Sequence, residues 1–548
     1  MYCSYVCYVA RCRSRRQKKP FNFEHFRIFE LFFPLSSPPN KSNPPGPGKT
    51  NFKMAYCVSK RVAYFHCDDF ASVSIDRATK LNPIRYSMTH ELLQSLDFLK
   101  WTQRMRPRWL QTEELTKYHD DRYLRILEQL SLPNPSQLLN EAKLATATLR
   151  NGFVGESTVH SGAYEFARGR ASGSVGCAEV INEEMASVAI NWEGGMFRAR
   201  RDHAIAGHFV NDVVLCLLAL CEHHSRILFI NVGYEHADGV EEAFYDSSNV
   251  MCLSFHGEQE TETDVAERRA DVELNGNGKR PAEVLGGAGT EETSTTTNTS
   301  STTATTAATA TATTAATATA ATATTTTTAT TATTTATTTA TKKAKTTNAS
   351  IPSYSYGSSN GTGKTEDIGY ERGEKCTRNI NLPNGTTDAN LEQVFGPIYD
   401  KAVAYYRPNI IVLLINASSV AGDRGGSHWN LSSNGFNSII TKVRTTDVPT
   451  IYLGAGGEHV TNAAKTFATC TAAVLGLPKD LILEKIPEKD SFFEEYSRHG
   501  DTGTFLEVQP SNMENETKEN TLKNLVERTC LAMDGPAIES DEEADEFE

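Results

Sequence analysis

Short, mainly apolar runs alternate with helical patterns along this 548-residue chain, and the alternation limits the folds open to it. The apolar runs are Val62–Cys67, Ser187–Trp192, Ile227–Val232, Val250–Phe255, Ile410–Asn416 and Thr450–Gly454. The helical patterns between them include Thr89–Phe98, Ala171–Ile181, Val210–His223, Leu391–Tyr406 and Asn462–Leu475. Strands that are apolar on both faces are typical of a parallel sheet covered by helices. We therefore predict an α/β fold of three layers with a central, mostly parallel sheet, whose functional side chains follow the carboxyl ends of the strands.

Three segments differ in composition from this pattern. Residues 1–53 have no helical or strand period, and we interpret them as a disordered arm or a mispredicted extension. Residues 302–341 are all Thr or Ala, so the surrounding 257–365 has few large apolar side chains to offset chain entropy and is predicted to be a disordered insertion. Residues 536–548 form an acidic tail. The remaining 54–535 is predicted to be one domain that the insertion interrupts.

Charge and cysteine content argue against several classes of protein. The formal net charge of -13 does not fit direct DNA binding, which needs a basic face. The twelve cysteines include no Cys-x-x-Cys pair, so we expect reduced thiols in an intracellular protein. No apolar run is long enough to cross a bilayer, and we expect no membrane insertion.

Short motifs follow the predicted strands in order. They read Asn191-Trp192-Glu193-Gly194-Gly195, Val210-Asn211-Asp212, Asp238-Gly239-Val240-Glu241-Glu242-Ala243-Phe244, Ser254-Phe255-His256, Gly422-Asp423-Arg424 and Pro510-Ser511-Asn512-Met513. With Met88-Thr89-His90, the series resembles the class I histone deacetylase family from about residue 60 to residue 515. The resemblance implies an arginase-like fold and the zinc-dependent hydrolysis of acetyl-lysine amides.

The positions that the resemblance assigns to zinc ligands carry unsuitable residues. In the family two aspartates and a histidine hold the metal, and their positions correspond here to Gly233, Ser418 and Glu235. A catalytic zinc needs three protein ligands and an open position. Glycine offers no side chain, and a neutral serine hydroxyl is a poor zinc ligand. We therefore predict that no intact metal site remains and expect no cofactor.

The positions of the family's proton-transfer and oxyanion groups have changed as well. A pair of histidines is replaced by Phe197 and Arg198, and the oxyanion tyrosine is replaced by Glu458. Phenylalanine cannot accept a proton, and arginine stays protonated at any useful pH. A carboxylate at ~4 Å from a developing oxyanion repels it by roughly 4 kcal/mol at an effective dielectric of about 20. The resemblance therefore predicts a family member that has lost catalysis.

A remodelled pocket is the alternative interpretation of the same positions. Two Glu-His pairs follow strand ends and are candidates to meet across the old site, where Arg198 is expected to neutralise Glu235 or Glu458. The residues of this pocket are Arg198, Glu235, His236, Glu458 and His459. A carboxylate–imidazole set of this kind is able to hold zinc. Outside the pocket, Arg424 matches a family arginine that contributes to inositol-phosphate binding, and a structural salt bridge is its other interpretation.

Three functions remain open from the sequence. The first is an inactive scaffold or regulatory subunit in chromatin regulation and transcriptional repression, with corepressor proteins and an active deacetylase paralogue as expected partners. The second is a divergent, active protein-lysine deacetylase with zinc in the remodelled pocket. The third is a module that binds acyl-lysine, including that of histone tails, without cleaving it. We expect the nucleus as the location, with the cytoplasm as the alternative.

Overall fold

A computed structural model describes residues 61–68, 84–132, 153–154, 159, 161–257, 362–423 and 428–534. The predicted arm, the acidic tail, nearly all of the predicted insertion and Arg424 lie outside the described residues.

The central element of the described structure is a parallel sheet. The strands are β1 Val62–Phe65, β2 Gln103–Met105, β3 Phe153–Val154, β4 Val188–Asn191, β5 Ala204–Ile205, β6 Ile227–Val232, β7 Val250–Gly257, β8 Thr377–Leu382, β9 Ile410–Asn416 and β10 Thr450–Ala455. Eight of them form one sheet in the order β2-β1-β4-β10-β9-β6-β7-β8, and each neighbouring pair is parallel. Strands β3 and β5 pair separately. The predicted α/β fold with a central parallel sheet is confirmed.

Helices cover both faces of the sheet. They are α1 Ile84–Ser95, α2 Thr112–Leu115, α3 Asp121–Leu130, α4 Ala163–Asn182, α5 Asp212–Cys221, α6 Asp238–Ala243, α7 Asp388–Tyr406, α8 Ser433–Arg444, α9 Val460–Leu475, α10 Phe493–Ser497 and α11 Glu519–Leu531. Alternate strand residues enter different hydrophobic clusters, as expected when both faces are buried. Leu228 packs with residues of α1, α7, α8, α9 and α11, whereas Phe229 packs with residues of α4 and α5. The molecule therefore has the three layers that the sequence predicted.

The strand order brings the predicted site segments together. Strands β4, β10, β9 and β6 are consecutive in the sheet and run in the same direction. Their register aligns Asn191 with Leu453, Ala455 with Asn416, and Val232 with Ile415. The segments that follow these strands therefore leave the same edge of the sheet.

Candidate functional site

The side chain of Asn416, the last residue of β9, lies among the predicted zinc-ligand positions. Its Nδ2 donates to Glu235 Oε2 at 2.9 Å, and its Oδ1 accepts from the backbone N–H of Ser418 at 3.0 Å. A Cβ atom on Gly233 would lie 2.3 Å from Asn416 Cβ, and one on Gly456 would lie 1.8 Å from Asn416 Oδ1. The Asn416 amide therefore fills the space between these two glycines and Glu235.

The serine hydroxyls that follow β9 are bonded to backbone amides of neighbouring segments. Ser418 is buried, and its Oγ accepts from the N–H of Gly457 at 2.9 Å. The Oγ of Ser419 accepts from the N–H of Tyr234 at 2.7 Å. These bonds tie the end of β9 to the segments that follow β10 and β6.

Phe197 and Arg198 both contact His208. The Phe197 ring is fully buried and meets the His208 ring edge-on at a centroid distance of 5.0 Å. The backbone N–H of Arg198 donates to His208 Nδ1 at 3.1 Å. Burial and the positive charge of Arg198 hold the pKa of His208 well below its usual range. His208 is therefore neutral here, and its Nδ1 is occupied as an acceptor.

The guanidinium of Arg198 forms an ion pair with Asp238, with 3.7 Å between Nε and Oδ1. The sequence predicted that Arg198 would pair with Glu235 or Glu458. Within the described residues, Arg198 pairs instead with Asp238. Asp238 also accepts from Arg200 Nη2 at 3.1 Å. Asp238 begins α6, so two arginines meet a carboxylate in the first turn of that helix.

His236 belongs to a buried polar network on the side of β7 and β8. Its Nε2 lies 3.2 Å from Glu241 Oε2, and its Nδ1 lies 3.3 Å from Ser254 Oγ. Glu241 Oε2 also accepts from Asn379 Nδ2 at 3.0 Å. The His256 ring is 4.4 Å from that of His236. These contacts join His236 to two strands and to α6.

Glu458 and His459 immediately precede α9. Their backbone N–H groups donate to the carboxylate of Asp423, at 3.3 Å and 3.0 Å respectively. His459 Nδ1 lies 2.9 Å from Thr461 Oγ1, and its ring is 5.0 Å from that of His499. Within the described part of the chain, the predicted pocket residues therefore contact four different partners: Asn416, Asp238, Glu241 and Asp423.

Sequence reasoning missed a group of possible metal ligands at the end of β1. Each of His66, Asp68 and His90 offers a nitrogen or oxygen atom, and these atoms lie within 4.8 Å of one another. Within the described residues, the ligand atoms of these three side chains are close enough together to hold a metal ion. Glu235 and Ser418, at positions that the sequence assigned to zinc ligands, do not belong to this group. The sequence contained a signal for this group, because His66 is the second-last residue of the predicted apolar run Val62–Cys67 and functional groups lie at strand ends.

Comparisons with known proteins agree on one family. The model of a histone deacetylase domain matches residues 79–270 and 337–474. Histone deacetylase 19 of Arabidopsis thaliana is 26% identical over 469 residues, which cover 85% of this chain and 71% of that protein. Histone deacetylase 2 of Oryza sativa subsp. japonica is 28% identical over 495 residues, covering 89% of this chain and 74% of that protein. Type-1 histone deacetylase 1 of Dictyostelium discoideum is 26% identical over 468 residues, covering 85% and 72%.

No helix within the described residues combines the length and the apolarity that a membrane span requires.

Proposed function

This chain belongs to the histone deacetylase family, and we propose that it is a catalytically inactive member that serves as a scaffold or regulatory subunit in chromatin. The observation that supports the proposal is the Asn416 amide, which contacts Gly233 and Glu235, two of the positions that the resemblance assigns to zinc ligands.

The donor set does not fit a catalytic zinc ion. Gly233 supplies no ligand atom, Glu235 Oε2 accepts from Asn416 Nδ2, and Ser418 Oγ accepts from a backbone N–H. One carboxylate is left where three ligands and an open position are needed. An amide N–H directed at the remaining carboxylate also puts a partial positive charge beside any cation that Glu235 would bind. The pattern supports loss of metal-assisted hydrolysis rather than an altered metal preference.

The groups that would manage protons support the same proposal. Arg198 is ion-paired with Asp238 and has no lone pair with which to act as a base. Phe197 is buried and apolar. Glu458 is at the position that the resemblance assigns to the oxyanion-stabilising tyrosine, and a carboxylate there would repel the oxyanion. No step of amide hydrolysis is therefore assigned to these residues.

The retained scaffold supports a role in binding. The three-layer core is complete in the described residues, although the predicted catalytic positions have changed. Relatives bear the name histone deacetylase, which favours a nuclear role in transcriptional repression for this chain. Corepressor proteins and an active deacetylase paralogue are the partners we propose.

Turnover measured with a matched variant tests the loss of catalysis. The full-length protein, supplied with zinc, is assayed on an acetyl-lysine peptide beside Glu235→Gln, with Arabidopsis thaliana histone deacetylase 19 as the active control. We expect this chain and its variant to release no acetate above the blank. Turnover that disappears in Glu235→Gln would refute the proposal and support the divergent deacetylase.

Affinity purification with mass spectrometry tests the scaffold role. We expect the tagged full-length chain to recover corepressor subunits from nuclear extract. Recovery of no chromatin protein would contradict that role. Saturable binding of an uncleaved acetyl-lysine peptide would instead favour the acyl-lysine-binding module.

A further inference from the structure

Two imidazoles and a carboxylate lie together where β1 ends. His66 directly follows β1, Asp68 comes two residues later, and His90 lies on α1. The His66 and His90 rings are parallel within 3°, with their centroids 3.6 Å apart. His66 Nε2 lies 3.0 Å from Asp68 Oδ1. Three side chains from two segments thus present nitrogen and oxygen atoms to one region.

Both histidines are held in place through Nδ1. Glu193, a buried residue after β4, is hydrogen-bonded to His66 Nδ1. The Tyr64 hydroxyl is bonded to His90 Nδ1 at 3.3 Å. Histidines that bind metals usually donate their other ring N–H to a carboxylate or another oxygen, which fixes the ring and raises its basicity. The two rings already have this arrangement, with Nε2 of each directed away from its anchor.

We propose that His66, His90 and Asp68 form a binding site for a divalent transition metal of the zinc type. Imidazole nitrogens with one carboxylate suit Zn²⁺ and Co²⁺, and three protein ligands leave a position for water. Ligand atoms around a tetrahedral ion with bonds of about 2.1 Å lie roughly 3.4 Å apart. The group spans at most 4.8 Å. Because the two rings are parallel and 3.6 Å apart, and an ion must lie near the plane of each imidazole that binds it, one ring has to rotate out of the stack before both Nε2 atoms reach the same ion. A histidine binds a metal ion through a nitrogen that carries no proton, so binding releases to solvent any proton held on a ligand nitrogen.

The Arg104 guanidinium is hydrogen-bonded to one of the three proposed ligands. Its Nη2 donates to His90 Nε2 at 2.9 Å, so this nitrogen carries a lone pair. Arg104 is exposed, and the Asp68 side chain is 88% exposed, so both can move without disturbing the core. A metal ion and the Arg104 guanidinium therefore compete for the same imidazole nitrogen.

Two substitutions on exposed side chains test the site in opposite directions. Full-length protein is titrated with Co²⁺ and the absorption bands of the bound ion are followed, with Zn²⁺ as competitor. We expect one saturable equivalent in the unmodified protein. Asp68→Asn should weaken binding at least tenfold because a charged ligand is lost, and Arg104→Gln should strengthen it because the competing cation is gone. Thermal unfolding of each variant verifies that the fold is retained.

Glu235→Gln is the control for the family's own metal position, and we expect it to bind Co²⁺ like the unmodified protein. Equal affinity of Asp68→Asn and the unmodified protein would overturn the assignment, as would an unchanged affinity in Arg104→Gln. If no metal binds and no acetate is released, this inference fails and the proposed function stands. If Glu235→Gln abolishes both metal binding and turnover while Asp68→Asn changes neither, both fail.

Discussion

Replacing Gly233 by alanine tests whether Asn416 has taken the space that an acidic zinc ligand would need. The new Cβ would lie 2.3 Å from Asn416 Cβ, whereas ordinary contacts begin at 3.4 Å, an overlap of 1.1 Å (3.4 - 2.3). Both carbons are attached directly to the backbone, so no side-chain rotation relieves the overlap. The ends of β6 and β9 must separate instead. Overpacking of this kind costs about 1–3 kcal/mol, and we expect Gly233→Ala to lower the free energy of unfolding by that amount.

Urea unfolding, followed by circular dichroism, measures the effect as a shift of the midpoint at unchanged slope. Gly396→Ala is the matched control. Apart from its chain neighbours and the backbone of its own helix, a Cβ at Gly396 meets nothing within 4 Å, and the residue lies inside α7 directly before Pro397. Alanine is favoured over glycine in a helix by about 0.5–1 kcal/mol, but a Cβ directly before a proline disfavours helical backbone. These two effects oppose each other, so the control should change the stability less than Gly233→Ala does.

A double-mutant cycle identifies the atom responsible. Asn416→Gly removes the opposing Cβ and the two hydrogen bonds of the amide, so it has a cost of its own. In that background Gly233→Ala should cost little, giving a coupling energy of about 1–3 kcal/mol. A neutral Gly233→Ala, or the same cost in both backgrounds, would refute the packing argument.

Three further predictions concern charged groups near the site and in α9. Arg198→Ala should lower the free energy of unfolding by about 0.5–1 kcal/mol because Asp238 loses one of its two arginines. This difference between variant and unmodified protein should shrink in ~1 M NaCl. Identical denaturation curves of the two proteins at low salt would show that the ion pair contributes nothing. Lys465 is buried, and burial lowers its pKa from the ordinary 10.5 to about 8. Between these values the unfolded chain binds more protons, so stability should rise with pH from about 8 to 10.5, and Lys465→Met should remove that slope in urea titrations; persistence of the slope would contradict the assignment. Asp423→Ala removes the acceptor of two backbone N–H groups ahead of α9 and should cost about 1–3 kcal/mol in thermal or urea unfolding; a cost near zero would mean that water replaces the carboxylate.

The central strands were predictable because they are buried on both faces and therefore consist of nearly continuous apolar residues. The predicted runs Ile227–Val232 and Ile410–Asn416 coincide with β6 and β9. The edge strand β8, Thr-Arg-Asn-Ile-Asn-Leu, was missed because polar residues interrupt it. Asn379 is buried there since Glu241 accepts its hydrogen bond. That partner is 138 residues away in sequence, and no local pattern reveals it.

For the site, the sequence alone determined which chemical groups stand at the strand ends. Whether a position carries an imidazole, a carboxylate or no side chain is a property of one residue, so the changes at Gly233 and Phe197 could be read directly. Their effect on catalysis stays a prediction until turnover is measured. Only the tertiary structure decided which groups meet: Asn416 with Glu235, Arg198 with Asp238, and His66 with His90. These contacts join segments that are distant in sequence, and their partners are selected by strand order and side-chain packing rather than by any local periodicity.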